Sequence, residues 1–326
     1  MKKILVCALL ALSFVSILTA QKPAVTMTAG HHTRREFLSR DPFILAWEAN
    51  HTYYLYRSDR YLGEDGKRHL CFAYLKSKDL EHWEGPFPAF IPPKDFWATK
   101  DFWAPEVHEY KGKFYMFASM NSETHKRGTQ ILRADTPEGP FVPISEFPVT
   151  PAEWLCLDGT LWVENGKPYI VFCHEWCDFK TGPKAVGGTI EAMQLSDDLT
   201  TAVGKPVTLL RGADAPWIRE RTNQHYLTDG PFLFKEDGEL RMLWSTSGWA
   251  GYTTLCAYST TGSLLGPWKN YDDIITVNDG GHAMRFKTFD GTMMTAYHAP
   301  NSGATRVILI EGPILGTNFL KVKKIK

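Results

Sequence analysis

The sequence carries no excess charge of either sign: 36 Lys and Arg stand against 36 Asp and Glu. A polyanionic partner such as nucleic acid, or an anionic membrane surface, calls for a basic balance or stripe, so neither is expected. Cysteine is sparse, with six in 326 residues. Apart from Cys7 these are Cys71, Cys156, Cys173, Cys177 and Cys256, an odd set that cannot pair off completely. Cys173 and Cys177 flank His174 in CHEWC, but no second Cys/His pair follows at ligand spacing, so they are read as buried thiols, not as a metal site. After residue 33 the chain also lacks any amphipathic helical stripe. A βαβ fold is excluded on that ground.

Long apolar runs are missing too, apart from one at the start. Lys2 and Lys3 precede an uncharged stretch from Ile4 to Ala20, which gives way to Gln21 and Lys22. The stretch is short for a membrane span, which takes about 20 residues. It reads as a signal peptide over residues 1–20, with an uncleaved anchor as the alternative. Residues 21–326 are then expected to form one exported domain, periplasmic or extracellular, monomeric and not inserted in a membrane.

What the chain has in quantity is aromatic residues, 13% with 11 Trp, within 44% apolar residues. They are not scattered. One layout recurs five times: a polar residue, a few apolar residues, a turn, then an aromatic strand. It reads DPFILAWEANHTYYLYRS from Asp41, PEVHEYKGKFYMFAS from Pro105 and DGTLWVENGKPYIVFCHE from Asp158. It returns as DGPFLFKEDGELRMLWSTS from Asp229 and HAMRFKTFDGTMMTAYH from His282. Steps of roughly 50 to 70 residues suit a blade of four short strands, and five such units predict an all-β, single-domain, five-bladed β-propeller. The turns YKGK, ENGK and KEDGE are hairpin signals.

Equivalent positions on five blades face one channel. Asp41, Glu106, Asp158, Asp229 and His282 are therefore expected to converge, four carboxylates and a histidine. Ring closure needs strand material from a chain end. TRVILIEGPIL at 305–315 can supply it after the fifth hairpin and residues 23–40 can add one more strand, and both options stay open. Asp41 is followed by Pro42, which fixes its own φ and marks a strand start, and it is preceded by Arg40, a cation that favours the ionised carboxylate. That combination suits a general base.

Four motifs taken in order, the DP at 41–42, WAPEV at 103–107, LDG at 157–159 and DGPFLF at 229–234, resemble glycoside hydrolase family 43. The resemblance implies a five-bladed propeller that cleaves arabinose or xylose units. It makes Asp41 the general base and Asp158 the residue that tunes pKa and orients. The general acid falls at Asp229, where the family usually carries Glu before Gly-Pro, one methylene longer. An inverting glycosidase holds its two carboxyls about 6.5–9.5 Å apart, and a misplacement of about 1 Å can cost on the order of 10²-fold. Glu175, in CHEW, is the alternative donor.

The resemblance also makes the WAP stretch pocket wall, with Trp103 and Glu106 in substrate binding. His282 matches a histidine on the propeller axis that can ligate a structural Ca²⁺ or other cation, while no cofactor is required. Sugar faces call for aromatic platforms and charged hydrogen-bonders, which points to Trp103, Trp176, Trp217 and Trp249 with Arg40, and leaves Trp47, Trp162 and Trp244 to the core. The expected function is an exported α-L-arabinofuranosidase. It acts on terminal residues of plant polysaccharides by inversion, with β-xylosyl or galactosyl residues as secondary candidates. The alternative is a glycan-binding propeller that has lost its acid.

Overall fold

The computed structural model describes residues 27–179, 187–215, 226–248 and 251–314. The expected signal peptide, Trp217 and Trp249 lie outside them. Five antiparallel sheets follow one another along the chain as the blades of a β-propeller. After a short β1 (Gly30–Thr33), blade 1 holds β2 (Phe43–Trp47), β3 (Thr52–Leu62), β4 (Arg68–Ser77) and β5 (His82–Phe90). Blade 2 holds β6 (Lys100–Tyr110), β7 (Lys113–Asn121), β8 (Gly128–Ala134) and β9 (Val142–Pro143). Blade 3 holds β10 (Cys156–Glu164), β11 (Lys167–His174), β12 (Thr189–Leu195) and β13 (Ala202–Arg211). Blade 4 holds β14 (Asp229–Glu236), β15 (Glu239–Gly248), β16 (Gly251–Ser259) and β17 (Trp268–Ile274). Blade 5 holds β18 (Gly281–Lys287), β19 (Met293–Ala299) and β20 (Arg306–Glu311). None of the described residues is α-helical, so none forms a helix long and apolar enough to cross a membrane.

Local chemistry explains the hairpins. Lys111-Gly112, Asn165-Gly166 and Asp237-Gly238 each place two residues at positive φ between the first and second strands of blades 2, 3 and 4. Two such residues make the two-residue turn whose twist matches the flanking strands. The second strands are buried on both faces because blade packs on blade: Phe114 to Met120 of β7 is buried throughout. Outer strands meet solvent, and β13 is mostly exposed. Aromatic rings fill the seam between blades 1 and 2, with Phe72 and Phe102 centroids 5.3 Å apart and Phe141 edge-on to Tyr56 at 6.3 Å.

One irregularity repeats in blades 2 to 5 and positions the site. The first strand gains one residue against its partner between Trp103 and Glu106, Leu157 and Thr160, Asp229 and Phe232, and Gly281 and Met284. Each is a β-bulge, which bends a strand and re-aims a side chain. Its first residue has positive φ in all four: Ala104 (44°), Asp158 (54°), Gly230 (50°) and His282 (55°). Asp41 (46°), just ahead of β2, matches them in blade 1. The register expected from sequence is corrected here. The equivalent residues are Asp41, Ala104, Asp158, Gly230 and His282, so Glu106 stands two residues late and Asp229 one residue early.

Ring closure also differs from a shared blade. β1 pairs with β5 and extends the outer edge of blade 1, while Arg306–Glu311 becomes the third strand of blade 5. Residues 34–41 bridge the seam between the first and last blades. Ser39 N donates to Thr305 O (3.2 Å), Arg34 Nη1 to Val307 O (3.3 Å) and Arg306 Nε to Arg35 O (2.9 Å).

Candidate active site

The bulges bring their side chains to one place. His282 Nδ1 lies 3.3 Å from Asp41 Oδ1 and 3.7 Å from Asp158 Oδ2. Asp158 Oδ2 accepts the Gly230 N–H at 2.9 Å, and Asp229 Oδ2 accepts the Tyr252 hydroxyl at 3.0 Å. Gly230 is required here: besides its positive φ, a Cβ would stand 2.9 Å from the His282 ring. Asp41, Asp158 and His282 all hold a backbone conformation that non-glycine residues avoid, a form of strain that clusters at functional sites.

What steadies the bulges is a second feature of the repeat. In blades 2, 4 and 5 the residue opposite the bulge, near the end of the second strand, reaches to the next blade. Ser119 Oγ accepts Asp158 N–H at 2.8 Å, and Ser245 Oγ accepts His282 N–H at 2.8 Å. His298 occupies the same position in blade 5, and its Nδ1 lies 3.0 Å from Asp41 N and 3.2 Å from Asp41 Oδ1. Its Nε2 is 3.2 Å from Asn301 Oδ1, which also accepts from Arg40 Nη2 at 2.8 Å. Ser119, Ser245, His298 and Tyr252 were not anticipated from sequence. The signal for three of them was the last residue of each aromatic strand, as in FAS at 117–119 and AYH at 296–298. Tyr252 had none, because it stands in a third strand outside the repeated segment.

Three carboxyls in one pocket cannot share one proton affinity. Burial alone would raise Asp41, but the charges of His282 and His298, with Arg40 behind them, hold its carboxyl well below the usual carboxylate range. Burial and the charge of Asp41 push Asp158 well above that range. Burial and the neighbouring Asp158 push Asp229 up to about 8, against His282 and the Tyr252 hydroxyl. At neutral pH, then, the pocket holds an ionised Asp41 and a protonated Asp229. Divergent proton affinities of this kind are what a paired acid and base require.

The other expected site residues are distributed around this centre. Arg40 is exposed and ties down Asn301. Trp103, 40% exposed, carries the Arg127 guanidinium 4.2 Å over its ring. Glu106 is buried two residues beyond the equivalent position on β6, 3.1 Å from His108 Nε2, and meets the cluster only through its charge, which acts on Asp158. Glu175 has both oxygens engaged, one by Arg127 Nη1 and the other by Cys177 Sγ at 3.1 Å. Trp176 is half-buried in the turn after β11. Cys177 is exposed, which corrects its reading as a buried thiol, whereas Cys71, Cys156, Cys173 and Cys256 are buried. Trp244 is fully buried, with Trp47 and Trp162 half-buried against the core.

A cation on the axis would need ligands beside His282. Among the described residues no three His, Cys, Asp or Glu side chains form a metal-holding group. No step below passes through a cation.

The family model for glycosyl hydrolases family 43 matches residues 36–312. An endo-arabinase from Bacteroides thetaiotaomicron VPI-5482 is 37% identical, with TM-score 0.77, covering 86% of this chain and 96% of that one. A thermostable family-43 glycoside hydrolase is 25% identical, with TM-score 0.68, covering 88% and 91%. An endo-1,4-beta-xylanase, also from B. thetaiotaomicron, shares the fold at 23% identity and TM-score 0.67, covering 87% and 97%. A comparison with curated protein sequences gives no match. The match over nearly the whole propeller, with the 37% identity to a solved relative, makes this chain a member of glycosyl hydrolases family 43.

Proposed function

We propose that the protein hydrolyses α-L-arabinofuranosyl linkages in plant polysaccharide by a single displacement, with Asp41 as general base and Asp229 as general acid. The observation that carries this reading is the cluster in which Asp41 and Asp158 flank His282 while Tyr252 engages Asp229, the next residue, Gly230, donating to Asp158; the surroundings push the proton affinities of Asp41 and Asp229 in opposite directions. Ionised Asp41 takes a proton from a water molecule as that water attacks the anomeric carbon. Protonated Asp229 gives its proton to the departing glycosidic oxygen. Burial, first of all, keeps Asp229 protonated, and Asp158, fixed by the Gly230 N–H, stands beside it as the orienting carboxyl. Asp229 is preferred to Glu175 because both Glu175 oxygens are engaged by Arg127 and Cys177.

The likeness to an endo-arabinase, at 37% identity, favours internal arabinan linkages over the terminal residues expected from sequence. Trp103 and Arg40, both exposed, are the sugar contacts that this reading assigns. Purified protein is tested on linear arabinan, branched arabinan, xylan, arabinogalactan and the matching nitrophenyl glycosides. The reading predicts arabino-oligosaccharides from linear arabinan. Faster release from xylan would move the substrate to β-xylosyl linkages, and binding without turnover on any of them would leave a glycan-binding propeller.

A further inference from the structure

Asp229 faces two difficulties, the first of which the family's usual glutamate does not pose. Its side chain is one methylene shorter, and it sits one residue before the bulge turn, outside the set of equivalent positions. A free aspartate there would swing between rotamers and present either oxygen to the substrate. The side chain that engages it comes from the third strand of its own blade. Tyr252 is buried on β16, and its hydroxyl stands 3.0 Å from Asp229 Oδ2.

The phenol is itself immobilised. Its ring stacks on His298 with centroids 5.5 Å apart and planes 15° from parallel. Gly281 leaves room for it, since a Cβ there would come within 2.4 Å of the Tyr252 ring. The Tyr252 N–H donates to Asp279 Oδ1 at 2.8 Å, and Asp279 Oδ2 accepts Asn301 N–H at 3.1 Å. Asn301 in turn binds His298 and Arg40. One rigid assembly therefore touches Asp229 through Tyr252 and Asp41 through His298.

Resting on the acid–base reading above, we propose that Tyr252 is a positioning residue. Its hydroxyl holds Asp229 Oδ2, leaves Oδ1 to carry the transferable proton toward the leaving oxygen, and so makes the short acid serviceable. The hydrogen-bond inventory requires the sense of this arrangement. Burial keeps the phenol protonated, and a protonated phenol donates one hydrogen bond. An oxygen that accepts it is the poorer seat for the carboxyl proton, which then resides on the other oxygen.

The test is Tyr252→Phe, which keeps the ring and removes only the hydroxyl. It is assayed on two aryl glycosides of the pentose that the wild type cleaves. One carries dinitrophenol, which departs without a proton, and the other carries methoxyphenol, which needs one. The proposal predicts a fall in kcat of about 100-fold on the methoxyphenyl substrate and within a few-fold on the dinitrophenyl substrate, with KM little changed. Equal losses on both, or none on either, would overturn it. Should the wild type cleave neither, the acid–base reading fails separately, and the clamp is still read by carboxyl titration. In ¹³C-aspartate protein the Asp229 resonance should titrate at higher pH in Tyr252→Phe than in wild type, because the hydroxyl favours the ionised form. An unchanged midpoint would overturn the clamp.

Discussion

Asp229 holds its proton to about pH 8 in the folded protein, whereas an unperturbed aspartate releases it near 3.8. Between these values the folded state binds a proton that the unfolded chain has lost, so this residue makes stability fall as pH rises, by about 1.4 kcal/mol per unit at most. Asp229→Asn removes the titration while keeping an acceptor for Tyr252. Its melting temperature should decline less than that of wild type between pH 5 and pH 8, and parallel declines would show that Asp229 is not the group responsible. The same proton sets the rate: kcat/KM should fall through an alkaline limb near pH 8 as Asp229 ionises. On the acid side Asp41 stays ionised far below the usual carboxylate range, so activity should persist well below pH 5 wherever the fold survives. Asp41→Asn, isosteric but no base, should lower kcat about 10³-fold while titration calorimetry still detects oligosaccharide binding. At this scale the sequence was legible where residue type and neighbours spoke together, as in Asp41-Pro42 and Asp158-Gly159. It was not legible at Tyr252 or His298, whose role comes from what lies across the bulge.

The recurring element is a first strand with one extra residue, entered at positive φ and steadied by a side chain from the previous blade. The hairpins were readable because Lys-Gly, Asn-Gly and Asp-Gly state their backbone conformation in their chemistry. The residues at the equivalent positions do not: Asp41, Ala104, Asp158, Gly230 and His282 share a torsion angle and no common side-chain type. Aligning by the acidic residue therefore placed Glu106 and Asp229 out of step, and only the backbone restores the register. Gly230→Ala tests the element. A methyl group at φ +50° and 2.9 Å from His282 should cost about 1–2 kcal/mol in urea unfolding and lower kcat by displacing the imidazole between Asp41 and Asp158. Wild-type stability and kcat in this variant would mean that the close approach is not required.

Five blades are joined mostly by apolar packing, with a few buried ion pairs across the seams. Arg285 on β18, its side chain 1% exposed, pairs with Glu236 at the end of β14 and donates to Gly312 O at 2.9 Å, tying blade 5 to blade 4. Arg285→Ala leaves Glu236 with Arg241 alone and should cost about 3 kcal/mol in chemical denaturation. A loss below 1 kcal/mol would make the pair dispensable. The number of blades followed from the number of repeats, because each unit buries its faces only against its neighbours. The closure did not follow. It depends on hydrogen bonds between residues 34–41 and blade 5, which leave no pattern in the residues that make them.

The central claim is a single displacement between Asp41 and Asp229, and the configuration of the first sugar released tests it most directly. Proton NMR of early turnover on an α-L-arabinofuranosyl substrate should show the anomeric centre inverted, with the β-anomer appearing first and the α-anomer only by mutarotation. Initial release of the α-anomer would contradict the account, since retention requires a carboxylate nucleophile where this site uses Asp41 to activate water.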